Sequence, residues 1–147
     1  MMDQRVLLMV NPMAGRQKIR NELIYVVDVL TKAGYETTIY TTQGKEATRK
    51  LMVEKDSRFD KVICCGGDGT FNEILSATMN WEKRPLLGYI PAGTTNDFAS
   101  GLKLPSDIRA AAENIIQGTP HTVDAGRFNL SYFSYVASFG AFTETSY

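Results

Sequence analysis

The chain has 147 residues, which is enough for one domain with a substantial core. Sixteen basic residues balance sixteen acidic ones, so no global positive field would attract nucleic acid, and no nucleic-acid partner is expected. No apolar run is long enough to span a bilayer, so any contact with lipid is expected at the membrane surface.

Short apolar runs alternate with helical patterns along most of the chain. Continuous apolar or β-prone runs predict strands over residues 6–10, 36–40, 62–65 and 86–90. Apolar residues at helical spacing predict helices over residues 19–30, 45–53, 71–79 and 108–116. Strands that alternate with helices indicate parallel β-α-β units. The predicted fold class is therefore α/β, a three-layer α-β-α arrangement around a mostly parallel sheet.

The pattern changes after Thr119. Residues 122–128 and 132–139 read as two strands around a short turn, and the sequence stops at Tyr147, which is abrupt for a finished fold. We therefore predict an α/β domain over residues 1–120 and the first strands of a β-rich second domain over residues 121–147.

The two cysteines, Cys64 and Cys65, are adjacent within the third predicted strand. Adjacent cysteines rarely form a disulfide with one another, and the chain has no other cysteine, so a reducing cytoplasmic compartment is favoured. Nothing nearby in the sequence would lower a thiol pKa, and both residues are predicted to be structural.

Three loops that follow predicted strands carry glycines and polar residues. Ligands of open α/β sheets bind at the carboxyl ends of the strands, so these loops are expected to line one crevice. The first loop contains Asn11, Pro12, Met13, Ala14 and Gly15, the second contains Gly66, Gly67, Asp68, Gly69, Thr70, Phe71 and Asn72, and the third contains Gly93, Thr94, Asn96 and Asp97.

The second loop is the strongest signal for a ligand. Its glycines let backbone N–H groups approach a phosphate, and the helix that starts near Thr70 directs its N-terminus at the same anion. The carboxylate of Asp68 would repel phosphate unless a magnesium ion joins the two. The alternative interpretation is that Asp68 only caps the helix. The sequence contains no P-loop motif. It also lacks the dinucleotide-binding glycine motif, because Asn72 stands where that motif has its third glycine.

The three motifs taken together resemble the catalytic domain of the diacylglycerol kinases, a family that includes sphingosine kinases and bacterial lipid kinases. The compact loops favour the bacterial soluble members of that family. The segment from Gly66 to Thr70 alone is shared with NAD kinases, whereas the first and third motifs select the lipid kinases. The motifs, in chain order, are Asn11-Pro12-x-Ala14-Gly15, Gly66-Gly67-Asp68-Gly69-Thr70-x-Asn72-Glu73 and Pro91-x-Gly93-Thr94-x-Asn96-Asp97-Phe98-Ala99.

This resemblance implies that ATP binds in a crevice between two domains and that its γ-phosphoryl group is transferred to a lipid hydroxyl, converting diacylglycerol to phosphatidic acid. The family's general base lies in the second domain, so no catalytic residue is expected within this chain, and the chain alone is expected to be inactive. The implied ATP-binding positions are Asn11, Pro12, Met13, Ala14, Gly15, Thr42, Gly66, Gly67, Asp68, Gly69, Thr70, Phe71, Asn72 and Thr94, and the implied Mg²⁺ positions are Asp68, Asp97 and Asp124.

The resemblance also implies a cytoplasmic protein with peripheral contact at the inner face of the membrane, and it leaves a homodimer open. Two alternatives stand beside this interpretation. An NAD-kinase-like enzyme would share Gly66 to Thr70 but not the first and third motifs. A nucleotide-binding module without activity would be expected if no β-rich second domain existed.

Overall fold

A computed structural model describes residues 4–92, 105, 107–118, 121–128, 131–134 and 141–146. Side chains are described for residues 4–15, 18–92, 105 and 107–118. No helix in these described ranges combines the length and apolar character needed to cross a bilayer.

Strands and helices alternate along the described part of the first 118 residues, as the hydrophobic patterns predicted. The described elements, in chain order, are β1 Gln4–Val10, α1 Ala14–Lys32, β2 Tyr35–Thr41, α2 Lys45–Glu54, β3 Lys61–Gly66, α3 Asp68–Met79, β4 Leu86–Pro91, α4 Ile108–Gln117, β5 His121–Phe128, β6 Ser131–Ser134 and β7 Ala141–Ser146.

Two helices begin earlier than their apolar spacing indicated. Helix α1 begins at Ala14 rather than near Ile19, and α3 begins at Asp68 rather than near Thr70. Apolar spacing locates the middle of a helix, whereas the first turns of α1 and α3 also contain glycine and polar residues, such as Gly15, Asp68 and Gly69, that interrupt this spacing. Several residues predicted to lie in loops therefore belong to the first turns of helices.

The strands form one sheet in the order β2-β1-β3-β4-β7-β5-β6. Strand β1 pairs in parallel with β2 and β3, and β3 pairs in parallel with β4, which confirms the predicted α/β class. Strand β7 pairs antiparallel with β4 and parallel with β5, so the sheet continues past β4. The domain boundary at residue 120 stays a prediction, because these pairings alone do not divide the chain.

The C-terminal strands differ in part from the sequence pattern. Strand β5 covers the predicted segment, and β6 matches only the start of the strand predicted over residues 132–139. Residues 135–140 lie outside the described part of the chain. Strand β7 was not predicted, because Thr143, Glu144 and Thr145 interrupt the apolar character of its sequence.

Two apolar clusters hold the layers together, one on each face of the sheet. Alternate side chains of β1 and β3 point to opposite faces, so each strand contributes to both clusters. Helices α2 and α3 cover one face and helices α1 and α4 cover the other. The first cluster includes Leu7, Met9, Met52, Cys64, Phe71, Ile74, Leu75 and Tyr89, and the second includes Val6, Leu8, Ile19, Val26, Leu30, Cys65, Ile90 and Ile115.

The buried cysteines provide a direct test of this layering. Cys64 and Cys65 are fully buried on opposite faces of β3, and burial raises the pKa of both thiols. Because the thiolate is the reactive form, maleimide labelling of the native chain should be slower than labelling in urea by a factor on the order of 100 or more. Rapid native labelling of both thiols would contradict a strand covered on both faces.

Candidate functional site

The sheet order separates the two connections that leave the carboxyl ends of β1 and β3. Strand β1 lies between β2 and β3, and the helices that follow β1 and β3 pack on opposite faces of the sheet. The two connections therefore diverge where they leave the strands, and in open α/β sheets ligands bind at such a point. The first two glycine-containing motifs of the sequence lie at this position.

The first motif forms a tight turn that is tied to β3. The N–H group of Asn11 donates to the carbonyl oxygen of Cys65 at 2.9 Å, and the side-chain oxygen of Asn11 accepts from the N–H group of Met13 at 3.0 Å. From α1, the Nε atom of Arg20 donates to the carbonyl oxygen of Pro12 at 3.0 Å. These bonds fix the backbone of the turn before any ligand arrives, which reduces the entropy lost on binding.

Gly15 brings the start of α1 against the end of β4. Its φ angle is +58°, and a Cβ atom built at this position would lie 2.3 Å from the carbonyl oxygen of Ala92. The N–H group of Ala92 in turn donates to the carbonyl oxygen of Gly66 at 2.9 Å. The structure thus brings the first motif, the second motif and the beginning of the third together at one edge of the sheet.

Gly66 lies where the backbones of the first and second motifs approach each other closely. A Cβ atom there would lie 3.3 Å from the Cβ atoms of both Asn11 and Thr70. Only a residue without a side chain leaves these two groups in place, so a packing requirement explains this glycine. The result is a short, compact connection from β3 into α3.

Asp68 is the first residue of α3, and its carboxylate is held from the neighbouring strand. The Oδ1 atom of Asp68 accepts a hydrogen bond of 2.7 Å from the hydroxyl of Tyr89 in β4. The N-cap position of α3 is Gly67, and Asp68 is the first residue inside the helix. A carboxylate in the first turn is favoured by the helix dipole, and the same dipole favours a bound anion.

Tyr89 is buried beneath this carboxylate. The side chain of Tyr89 is 2% exposed, and its ring stacks on that of Phe71 with centroids 4.6 Å apart and an interplanar angle of 14°. Burial, and after it the hydrogen bond to Asp68, raise the pKa of Tyr89 well above its ordinary value. The phenol therefore keeps its proton and remains a donor to the carboxylate.

Further along α3, Asn72 and Glu73 have unusual surroundings. The Oδ1 atom of Asn72 is buried and accepts no hydrogen bond from the residues that the structure describes. Burial raises the pKa of the Glu73 carboxyl, while Lys45 and Arg49 of α2 act in the opposite direction. The open acceptor on Asn72 suits a donor such as a ligand hydroxyl, an amine or a metal-bound water.

Thr42 lies beside the carboxyl end of β1, where its N–H group donates to the carbonyl oxygen of Val10 at 2.8 Å. Thr94 and Asp97 lie outside the described residues. Asp124 is in β5, where its backbone pairs with Ser146, and β4 and β7 separate β5 from β3 in the sheet. The strand pairings thus do not bring Asp124 next to Asp68. The binding roles of these positions stay predictions.

The sequence did not single out Tyr89 or Arg20 as residues of this site. Tyr89 stands inside the apolar run of β4 and reads as a core residue, and Arg20 reads as an exposed arginine of α1. The hydroxyl of Tyr89 is nevertheless the one polar side-chain group in β4, and a buried hydroxyl normally has a partner. This rule indicated that the hydroxyl of Tyr89 has a hydrogen-bond partner, but it could not identify that partner as Asp68.

The donor set at this edge fits a magnesium–phosphate ligand. A carboxylate, the N-terminus of a helix and glycines that permit close approach are the groups that hold phosphate together with a hard cation. Within the described residues there is no group of three or more His, Cys, Asp or Glu that could hold a metal ion. A magnesium ion commonly takes one or two carboxylates together with phosphate and water, so a single described carboxylate at Asp68 is compatible with such an ion.

Comparison with known proteins gives a consistent result. The family described as the diacylglycerol kinase catalytic domain matches residues 5–128. The diacylglycerol kinase of Staphylococcus saprophyticus is 39% identical over 147 residues, which cover 99% of this chain and 48% of that protein. The diacylglycerol kinase of Bacillus subtilis is 39% identical over 146 residues, 98% of this chain and 48% of that protein.

A solved structure agrees with the sequence relatives. The crystal structure of a diacylglycerol kinase from Bacillus anthracis superimposes with a TM-score of 0.79 at 35% identity, over 88% of this chain and 45% of that one. This chain therefore spans about half the length of the relatives that it matches.

Proposed function

The chain belongs to the family of the diacylglycerol kinase catalytic domain, and we propose from that membership that it is the nucleotide-binding part of a lipid kinase. The proposed reaction of the whole protein is transfer of the γ-phosphoryl group of ATP to the hydroxyl of diacylglycerol, which yields phosphatidic acid. Peripheral contact with the inner face of the membrane, a cytoplasmic location and a homodimer belong to this proposal for the whole protein.

The observation that carries the proposal is the position of Asp68. Its carboxylate lies in the first turn of α3, directly after the glycine turn. This is the edge of the sheet at which the connections that follow β1 and β3 diverge. An acidic group at a site suited to phosphate is unfavourable unless a cation is shared between them. Magnesium bound to ATP supplies that cation, and it neutralises the charge of the phosphates during transfer.

The residues of the chain act by binding and orientation. Backbone N–H groups of the first turn of α3 are proposed to hold the phosphates, the turn at Asn11 to line the same site, and Asp68 to hold magnesium together with Asp97 and Asp124. Catalysis in phosphoryl transfer is mostly positioning and charge neutralisation, so groups fixed before the ligand binds are effective. The hydrogen bonds from Asn11 to Cys65 and from Arg20 to Pro12 support such a fixed backbone.

The alternatives are less well supported. An NAD-kinase-like activity would not account for a match of the diacylglycerol kinase family over residues 5–128. A non-catalytic nucleotide-binding module would bind ATP in the same way without transfer, and these 147 residues correspond to 48% of two relatives named diacylglycerol kinase. We therefore propose that these 147 residues bind magnesium-ATP but transfer little phosphate by themselves.

Calorimetric titration of the chain and a phosphate-transfer assay test this proposal together. We expect saturable binding of magnesium-ATP that weakens when the metal is chelated, because a cation is needed between Asp68 and the phosphates. We also expect transfer of labelled phosphate to diacylglycerol to be slower than that of the B. subtilis relative by more than about tenfold, a barrier difference above ~1.4 kcal/mol.

Each outcome has a distinct meaning. AMP serves as the control ligand, since it lacks the β- and γ-phosphates and should bind without dependence on magnesium. Absence of magnesium-dependent binding of ATP would overturn the nucleotide assignment. Transfer at a rate within about tenfold of the relative would overturn the expectation of an inactive chain. Phosphorylation of NAD instead of lipid would favour the NAD-kinase alternative.

A further inference from the structure

Tyr89 is the residue that joins β4 to the carboxylate of Asp68. Its hydroxyl donates to the Oδ1 atom of Asp68 at 2.7 Å, and its side chain is 2% exposed. A hydrogen bond from a buried phenol to a carboxylate is short and charge-assisted, and it is stronger than a bond between neutral groups. The bond crosses from the central sheet to the first residue of α3, so it fixes the start of the helix relative to the strand.

The ring of Tyr89 is itself held in place by α3. Phe71 stacks on it with centroids 4.6 Å apart, and Phe71 follows Asp68 by three residues, on the same side of the first turn of the helix. The stack prevents the ring from shifting and therefore keeps the hydroxyl at a constant position. Asp68, Phe71 and Tyr89 thus form one rigid unit of a carboxylate, its donor and the ring that supports the donor.

We propose that Tyr89 is a positioning residue, which orients the carboxylate of Asp68 for the magnesium ion of a bound nucleotide. This inference rests on the proposed function and extends it to a residue outside the glycine motifs. A hydrogen bond to a metal-binding carboxylate restricts its rotation and lowers the cost of ordering it when the ion binds. Loss of such an outer partner typically reduces metal affinity by about 10-fold to 100-fold.

The substitution Tyr89→Phe isolates the hydroxyl. It retains the ring and its stack on Phe71, and it removes the hydroxyl that donates to Asp68. We expect the affinity for magnesium-ATP to fall by about tenfold, at the lower end of the usual range for such partners, and the affinity for metal-free ATP to stay unchanged. Both affinities are measured by calorimetric titration, with magnesium and with a chelator.

A matched control is available at the contact between α1 and α4. There the hydroxyl of Tyr25 donates to the Oε2 atom of Glu113 at 2.5 Å, which is also a bond from a tyrosine to a carboxylate. The substitution Tyr25→Phe removes a hydrogen bond of the same kind without touching Asp68. It should leave both nucleotide affinities at the wild-type values.

The double variant Tyr89→Phe/Asp68→Asn separates positioning from a general packing effect. If Tyr89 acts through Asp68, adding Tyr89→Phe to Asp68→Asn should change the affinity for magnesium-ATP by less than about twofold. An equal loss for metal-free ATP, or an equal loss in both backgrounds, would overturn the proposal. If wild type shows magnesium-dependent binding that Tyr89→Phe does not alter, only this inference fails. If wild type shows no such binding, the proposed function fails with it.

Discussion

The substitution Gly15→Ala is expected to destabilise the chain by about 2–4 kcal/mol and to weaken its binding of magnesium-ATP by more than about tenfold. Gly15 has a φ angle of +58°, a region that costs alanine about 1–2 kcal/mol. In addition, the new Cβ atom would lie 2.3 Å from the carbonyl oxygen of Ala92, so the two backbones must separate. Urea unfolding and calorimetric titration measure the two effects.

The matched control for this prediction is Gly69→Ala, at the second residue of α3. A Cβ atom at Gly69 meets no atom within 4 Å in the part of the chain that the structure describes. Alanine is the better helix former, so the unfolding free energy should stay equal or rise by up to about 1 kcal/mol. If Gly15→Ala changed the unfolding free energy as little as this control does, the close approach of α1 to β4 would be contradicted.

The order of elements could be predicted because burial leaves a clear trace in the sequence. The apolar runs of β1, β3 and β4 have both faces covered, and the helices between them carry apolar residues at helical spacing. These patterns do not reveal at which residue a helix begins when its first turn contains glycine and polar residues. For that reason Asp68 was expected in a loop, whereas it is the first residue of α3.

The site could be located from its glycines but not described in detail. Strand order determines that the connections after β1 and β3 diverge, and the parallel units already implied that they lie on one edge. The partner of Asp68 depends on the register between β3 and β4, in which Cys64 lies beside Tyr89. Register follows from packing across the whole sheet and not from local sequence, so Tyr89 could not be linked to Asp68 in advance.

The substitution Asp68→Asn is the most direct test of magnesium binding. It keeps the size of the side chain and an oxygen that can accept from Tyr89, but it removes the charge. We expect the affinity for magnesium-ATP to fall by about tenfold or more, at least ~1.4 kcal/mol, because a metal ligand is lost. The affinity for metal-free ATP should stay equal or increase, because a carboxylate that repels phosphate is gone.

A second aspartate at a helix N-terminus provides the control for this test. Asp107 is the N-cap of α4, and its side chain accepts from the N–H group of Ala110 at 3.0 Å. Asparagine is an equally good N-cap, so Asp107→Asn should alter neither the nucleotide affinities nor the unfolding free energy by more than a few tenths of a kcal/mol. Asp68→Asn should lower the unfolding free energy by less than about 1 kcal/mol, through the weaker interaction with the helix dipole.

The decisive quantity is the ratio of the affinities for magnesium-ATP and metal-free ATP. A ratio in Asp68→Asn equal to that of wild type would mean that Asp68 binds no metal in this chain, and its carboxylate would then only stabilise the first turn of α3.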